Sequence, residues 1–163
     1  MTPTKKTTTR KTAVKLPPNP FIHEVLALVD KQRTKAKKIE ILEEYSSDAL
    51  KSILIWNFDQ TVVSMIPEGK VPYNKNEVPV GTDHTSLRRE WRNLYDFVKG
   101  GNDSLSSMRR ETMFIQLLEG LSAEEARFLI TVVNKRVNNE YKGFTANLVK
   151  EAFNWNDNFM KNA

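Results

Sequence analysis

Adjacent arginine and lysine side chains in predicted helices are the residues of this sequence best suited to chemistry. A guanidinium group binds phosphate oxygens through two parallel hydrogen bonds, so paired arginines are typical of surfaces that hold nucleic acid. If the pairs converge on one face, they form a basic patch even on a body of zero net charge. The alternative is that each cation pairs with an acid one helical turn away, such as Arg92 with Asp96. The groups are Arg88, Arg89 and Arg92, then Arg109 and Arg110, then Lys135 and Arg136.

The net charge of the chain lies at its N-terminus. Residues 1–20 contain five of the 25 basic residues and no acid, so the other 20 basic residues balance the 20 acids of residues 21–163. The Thr- and Lys-rich composition and the closing Leu-Pro-Pro-Asn-Pro run predict a disordered arm over residues 1–20. Such an arm either binds an anionic surface, with at most five phosphate contacts, or simply keeps the terminus soluble. Its cations are Lys5, Lys6, Arg10, Lys11 and Lys15.

A further group of lysines occupies the first turns of a predicted helix. Cations at the start of a helix oppose its dipole, which suggests that they serve a partner. The alternative is a solvated helix face. These residues are Lys35, Lys37 and Lys38.

Groups suited to catalysis are scarce. The two histidines, His23 and His84, lie far apart, neither has metal-ligand spacing with a second histidine, and there is no cysteine. A capping box explains the Glu124-Glu125 pair, because Ser122 and Glu125 would each satisfy a free amide at a helix start. The sequence also lacks a Gly-rich phosphate loop and a nucleophile motif. We therefore expect a non-enzyme without metal, cofactor or small-molecule substrate. No apolar run approaches the roughly 18 residues of a membrane span.

The spacing of apolar residues predicts an all-α domain of about six to seven helices over residues 21–153, followed by a tail over residues 154–163. Asn19 is predicted to cap the first helix, with Pro20 at its first helical position. The Pro- and Gly-rich segment Pro67–Asp83 reads as a long ordered loop with room for a short strand pair. The other predicted helices are Thr34–Tyr45, one after the cap region Ser46–Asp48, Ser86–Lys99, Ser104–Glu119, one from Ser122 through Val137, and Ala146–Phe153.

The same spacing predicts which side chains face the core. Two helices carry a clear stripe, and the three tryptophans are interpreted as packing residues rather than platforms for stacked bases. The stripe of Ser86–Lys99 is Leu87, Trp91, Leu94, Tyr95 and Val98, that of Ser104–Glu119 is Leu105, Met108, Thr112, Ile115 and Leu118, and the other tryptophans are Trp56 and Trp155.

Five runs of the sequence share apolar and cap positions with a known DNA-binding domain. The runs 21–26, 35–42 and 49–54 resemble the opening helices of the all-helical N-terminal DNA-binding domain of ATP-dependent DNA ligases. The run 114–130, with its Leu-Ser-Ala-Glu-Glu turn, is similar to the second half of that domain, and 148–153 resembles its last short helix. This resemblance implies non-specific binding of duplex DNA, including nicked duplex. It does not imply ligation, because the adenylated-lysine motif of the catalytic domain is not in the sequence.

A second resemblance extends over nearly the whole chain. Its residues are the runs 53–58, 67–73, 85–91 and 109–119. They resemble a family of small uncharacterised proteins of T4-like tailed phages, notably those that infect cyanobacteria. The resemblance implies a phage origin and a location in the cytoplasm of the infected bacterial host, with a place in the virion left open, and it implies no particular activity.

Two functional hypotheses follow. The first is a stand-alone helical DNA-binding module that contacts phosphates through the arm and the basic groups named above. The second is an interaction or minor virion protein that binds a host or phage protein through the loop 67–83 and the aromatic tail residues Trp155, Phe159 and Met160. Arginines that converge on one face favour DNA, whereas dispersed or acid-paired arginines beside an exposed apolar patch favour a protein partner.

Overall fold

The computed structural model describes residues 16–17, 20–67, 72–76 and 84–155. These ranges are helical apart from loops and a single antiparallel bridge between Ser64 and Val98, so the all-α prediction is confirmed. The helices are α1 Ile22–Asp30, α2 Lys35–Glu44, α3 Asp48–Phe58, α4 Leu87–Glu90, which continues as a 3-10 helix Trp91–Phe97, α5 Ser107–Gly120, α6 Ala123–Val133, α7 Val137–Glu140 and α8 Ala146–Phe153.

Hydroxyl side chains fix the start of most of the longer helices. The side chains of Thr34, Ser47 and Thr145 accept hydrogen bonds of 3.1–3.2 Å from the backbone amide three residues later, which confirms the predicted starts of α2, α3 and α8. An N-cap of this kind satisfies one of the free amides of the first turn. Helix α5 uses Ser106 in the same way and begins later than its predicted start at Ser104.

The first helix starts later than predicted, so the placement of Pro20 inside it is wrong. Helix α1 begins after Phe21, whose amide donates to Glu24 Oε1 at 2.9 Å. The carbonyl of Pro20 instead accepts a 2.6 Å hydrogen bond from Arg88 Nε, which holds this residue outside the helix. Asn19, the predicted cap, lies outside the described residues, while Leu16 donates its amide to the hydroxyl of Tyr45 at 3.2 Å.

The predicted helix Ser86–Lys99 forms with a change of geometry. Its residues Trp91–Phe97 are a 3-10 helix, in which positions three apart share a face. Leu94 and Phe97 are therefore buried, and Tyr95, predicted to face the core, is 52% exposed. The helical segment ends at Phe97, because Val98 is already extended with φ −116° and ψ 150°. The predicted end at Lys99, with its stop at Gly100-Gly101, is therefore two residues too late. Gly101 is nevertheless required for close packing, since a Cβ there would lie only 2.0 Å from the carbonyl oxygen of Tyr95.

Helix α5 presents a different face to the core from the predicted one. Met108 is 80% exposed and Thr112 is also exposed, so their placement in the core is wrong. The buried residues of this helix are Arg110, Phe114 and Leu118. The physical reason is Arg110, whose guanidinium group lies inside the protein because it donates to three backbone carbonyls.

The predicted helix from Ser122 through Val137 is interrupted near its end. Helix α6 stops at Val133 because Lys135 has a φ of 57°. This value lies in the left-handed region, which a continuous right-handed helix cannot include. The short helix α7 then begins at Val137, whose amide donates to Asn57 Oδ1 at 3.0 Å. The break therefore couples the end of α6 to the end of α3.

The helices pack as pairs around one apolar core. Helix α2 packs on α1 and α8, α6 packs on α3 and α5, and α3 also contacts the 3-10 helix. Trp56 is 3% exposed, which confirms its packing role, and Trp91 and Trp155 pack partly buried against the core. None of the helices in the described ranges is long and apolar enough to cross a membrane. The largest fully buried side chains include Phe114, Phe144, Ile22, Leu26, Leu42, Leu50 and Ile53.

The predicted loop Pro67–Asp83 is described only in part. Residues 68–71 and 77–83 lie outside the described ranges, and residues 72–76 are non-helical. This middle piece is attached to the end of α5, because the amide of Asn74 donates to Glu119 Oε2 at 2.9 Å and the side chain of Asn76 donates to the Glu119 carbonyl at 3.2 Å.

Candidate functional site

The predicted basic pairs are each divided between the interior and the surface. Arg88, Arg110 and Lys135 point inward, whereas their neighbours Arg89, Arg109 and Arg136 are exposed. Consecutive residues of a helix are about 100° apart around its axis, so the helical pairs Arg88-Arg89 and Arg109-Arg110 each place only one member outside. Lys135 and Arg136 lie in the turn between α6 and α7, where the left-handed backbone of Lys135 separates their directions. The structure therefore does not present these residues as pairs.

Arg88 binds the segment that enters the first helix. Its Nε atom donates to the carbonyl of Pro20 at 2.6 Å, and burial lowers the pKa of the guanidinium group while the charge of Glu125 opposes that shift. A side chain held in this way has little freedom to bind a phosphate. Its role in the described structure is to fix the start of α1 against α4.

Arg110 and Lys135 bind backbone carbonyls at the ends of helical segments. Arg110, 2% exposed, donates to Asp96 O at 2.9 Å and to the carbonyls of Asn102 and Leu105 at 3.0 Å. The ammonium group of Lys135 donates to the carbonyls of Trp56 and Asp59, and burial lowers the pKa of this lysine. These hydrogen bonds direct both cations to the backbone inside the protein, so their predicted contact with phosphate stays a prediction that this geometry does not favour.

Two of the three lysines at the start of α2 are exposed to solvent and pair with acids on the surface. Lys35 pairs with Glu151 at 2.6 Å, and Lys37 pairs with Glu40 at 3.7 Å. Lys38 Nζ lies 3.5 Å from the carbonyl of Gly143. Exposed pairs of this kind contribute little to stability, and they also weaken the case for a phosphate-binding lysine cluster.

Four predicted arginines stay exposed in the described structure, namely Arg89, Arg92, Arg109 and Arg136. Arg92 does not form its predicted pair with Asp96, which is buried and accepts a 3.0 Å hydrogen bond from the side chain of Asn102. The guanidinium carbon of Arg92 lies instead 5.3 Å from the ring centroid of Trp91. The arm cations Lys5, Lys6, Arg10, Lys11 and Lys15 lie outside the described residues, as do Phe159 and Met160 of the predicted contact tail.

An open apolar groove of about 220 Å³ lies beside Arg92. Its buried floor includes Trp56, Val62 and Leu94, and its rim includes Arg92 and Tyr95, which are both exposed. Aromatic rings and an arginine around an apolar floor are typical of the centre of protein interfaces. The remaining lining residues are Ser52, Ile55, Trp91 and Val98.

The 3-10 helix produces this groove. Its period of three places Trp91 and Leu94 toward α3, while Tyr95 turns outward to the rim. Two hydrogen bonds of 2.8 Å, from Met65 N to Phe97 O and from Lys99 N to Val63 O, fix the end of the groove at the Ser64–Val98 bridge. An α-helical period applied to the sequence does not predict the groove, although its aromatic residues belong to the predicted apolar stripe.

Three of the most exposed apolar side chains lie close in sequence to groove-lining residues. Among the described residues, four large apolar side chains are prominently exposed, namely Val63, Met65, Tyr95 and Met108. Val63 and Met65 flank Ser64 of the bridge, and Tyr95 lies three residues before its partner Val98. Met108 lies at the start of α5. Of these four side chains, only Tyr95 lines the groove itself.

The possible catalytic residues are not brought together. His23 stacks on Phe21, with ring centroids 5.5 Å apart, and burial lowers its pKa. In the part of the chain that the structure describes, no group of three His, Cys, Asp or Glu side chains is placed to hold a metal ion. The predicted capping box forms only in part: Ser122 accepts from the Glu125 amide at 3.3 Å, but Glu125 Oε2 accepts instead from the amide of Leu87 at 3.3 Å.

The fold and the groove define an all-helical protein with an arginine-edged aromatic surface. The chain belongs to DUF6433, a family of unknown function, which it matches over residues 25–139. All nine groove-lining residues lie inside that range, whereas the five arm cations lie before it. Neither the search of curated proteins nor the search of solved structures found a match. The two resemblances noted in the sequence therefore stay predictions.

Proposed function

We propose that this chain is a non-catalytic interaction protein that binds a host or phage protein through the groove between α3 and the 3-10 helix. The observation that carries this proposal is the open apolar floor of Trp56, Val62 and Leu94 next to exposed Tyr95 and Arg92. Cations that converge on one face would favour DNA, whereas dispersed or acid-paired cations favour a protein partner. The divided arginine pairs and the two lysines paired with acids correspond better to the second case.

The groove is suited to binding in energetic terms as well. Burying one Leu- or Phe-sized side chain in such a floor contributes about 1.5–3 kcal/mol. Trp, Tyr and Arg are the residues that most often dominate the energy of an interface, and this groove contains two Trp, one Tyr and one Arg. A single partner segment therefore has most of the required anchor points within one small surface.

Site-specific photocrosslinking in infected host cells tests the proposal. A photoreactive phenylalanine replaces Tyr95 at the rim, and the same residue replaces Met108 as the control, because both positions are well exposed and only Tyr95 lines the groove. We expect a crosslinked species of one discrete mass from position 95 and none from position 108. Equal crosslinking at both positions, or none at position 95, would contradict the proposal.

DNA binding is a second candidate function, favoured by the four predicted arginines that stay exposed and by the five cations of the arm. It is measured by fluorescence anisotropy with duplex, nicked duplex and single-stranded DNA over a salt series. If phosphates are bound, log affinity falls linearly with log salt concentration, and deletion of residues 1–18 makes the slope shallower. Absence of binding at low salt would remove this candidate.

A further inference from the structure

Among the described residues, Arg92 supplies the only charged side chain that lines the groove. None of the ion pairs formed within the described ranges includes this arginine. The acid one turn later, Asp96, is 8% exposed and is bonded to Asn102. Arg92 is therefore a charged group at the edge of an apolar groove, with its charge directed to the surroundings rather than to an internal acid.

The ring of Trp91 holds Arg92 in place. The guanidinium carbon lies 5.3 Å from the ring centroid. At this distance a cation is attracted to the face of an aromatic ring. A guanidinium group that lies on a ring keeps the N–H groups at its edge available, and these match the two oxygens of a carboxylate. The group is thus oriented before any partner binds.

The charged residues next to Arg92 along the chain and near the groove include two further cations and one carboxylate that is oriented by neutral donors. Lys51 precedes the lining residue Ser52 and lies 5.6 Å from the ring of Phe153, and Arg89 is exposed one turn before Arg92. The acid between these arginines, Glu90, accepts hydrogen bonds from Thr85 Oγ1 and Asn93 Nδ2 at 2.6 and 3.3 Å. Glu90 keeps its negative charge but is oriented by these two donors, whereas Arg92 is the charged side chain in the lining of the groove itself. A partner group of opposite charge is therefore favoured beside Arg92.

We propose that the groove binds an amphipathic protein segment whose apolar side chains cover Leu94 and Val62 and whose Asp or Glu side chain pairs with Arg92. This inference rests on the proposed function and adds the chemistry of the partner. A segment that places Lys or Arg at the same position is rejected, because two like charges would meet at an apolar surface.

Selection from a displayed library of random short peptides tests the charge preference. The full chain is the bait, and the rim variant Tyr95→Ala is used in a parallel selection to identify the peptides that require the groove. We expect groove-dependent peptides to combine apolar residues with a neighbouring Asp or Glu. With Arg92→Glu as bait, the enriched charge should change to Lys or Arg, and binding of the acidic peptides should weaken roughly tenfold. The matched control Arg109→Glu, an exposed arginine outside the groove lining, should leave the selected peptides unchanged.

The outcomes distinguish the charge preference at Arg92 from the binding of a protein segment in the groove. Groove-dependent peptides without an acidic preference, or with the same preference on the Arg92→Glu bait, overturn the charge inference and leave the groove function standing. A library that yields no groove-dependent peptide overturns both. Arg92 and Tyr95 are both exposed, so these variants keep the core intact, and circular dichroism checks that each one is folded.

Discussion

Glu125 offers the sharpest test of the described packing, because it is a carboxyl group with 0% exposure. Its Oε2 atom accepts a hydrogen bond from the Leu87 amide, and its Oε1 atom has no hydrogen-bond partner within the described structure. Burial raises the pKa of Glu125 from 4.5 to about 7, and the Leu87 amide and the charge of Arg88 only partly oppose the rise. We predict that Glu125→Gln, which has the same shape and no charge, stabilises the protein at alkaline pH.

The sign and size of the effect follow from this pKa. An acid whose pKa is higher in the folded state holds more protons in that state. Stability therefore falls as the pH rises from the unfolded pKa of 4.5 to the folded pKa of about 7. One pKa unit corresponds to about 1.4 kcal/mol. Integrated between pH 5 and pH 8, the loss due to Glu125 is about 2.5 kcal/mol. The glutamine variant lacks this loss, so its stability relative to the wild type should increase by that amount over the same range.

Urea unfolding, followed by tryptophan fluorescence at several pH values between 5 and 8, measures the difference. The amide of glutamine adds a donor to a buried site, which costs a similar free energy at every pH, so the diagnostic quantity is the pH dependence of the difference. The matched control is Glu124→Gln, which removes a carboxylate from the exposed neighbouring position and leaves the buried carboxyl group of Glu125 in place. A difference for Glu125→Gln that stays constant from pH 5 to pH 8 would refute the reasoning.

Three further predictions concern the contacts that position the groove and the helices, each measured as the free energy of unfolding in urea. Arg110→Met removes the guanidinium donors of three carbonyls, of which that of Asn102 keeps the Leu105 amide as a donor; the loss of these buried hydrogen bonds should cost about 3 kcal/mol. Arg109→Met at the exposed neighbour should change stability by no more than about 0.5 kcal/mol, and equal effects would contradict the division of this pair. Gly101→Ala places a Cβ 2.0 Å from a backbone oxygen. The backbone shift that this Cβ forces should cost at least about 2 kcal/mol. Gly100→Ala has only an unfavourable positive φ and should cost about 1–2 kcal/mol; a larger loss for Gly100→Ala than for Gly101→Ala would contradict the close approach. Ser47→Ala removes the N-cap of α3 and should cost about 1 kcal/mol; an unchanged stability would show that the cap is dispensable.

The parts of the fold that could be predicted from the sequence are those set by local chemistry. The starts of α2, α3 and α8 depend on a hydroxyl group and an amide three residues away, and both are visible in the sequence. The apolar set of α8 is equally predictable, because Leu148, Val149 and Ala152 repeat at the spacing of a single helix face. In these elements the local preference and the tertiary packing agree.

The errors occur where a distant contact decides the local geometry. The start of α1 depends on Arg88, which binds the Pro20 carbonyl from 68 positions along the chain. The chain after the 3-10 helix turns back so that Gly101 lies close to Tyr95, and Lys135, in the turn that ends α6, binds carbonyls at the end of α3. An apolar period alone contains no information on such contacts, so the rotation of Tyr95 to the surface, and with it the groove, could not be foreseen.

The inward cations also explain why a neutral body with many arginines presents no paired basic surface in its described part. Carbonyl groups at the end of a helix lack intrahelical donors and carry partial negative charge. Lys135 binds such carbonyls at the end of α3, and Arg110 binds one near the end of the 3-10 helix and two in the turn that follows. These cations are bonded to the backbone rather than to carboxylates, so equal numbers of acids and bases do not imply that each arginine has an acidic partner. Arg92 differs from them because Trp91 holds it at the surface, beside the apolar floor of the groove. The arginine best placed to bind a partner is therefore Arg92, because of its contact with Trp91 and not because it belongs to a basic pair.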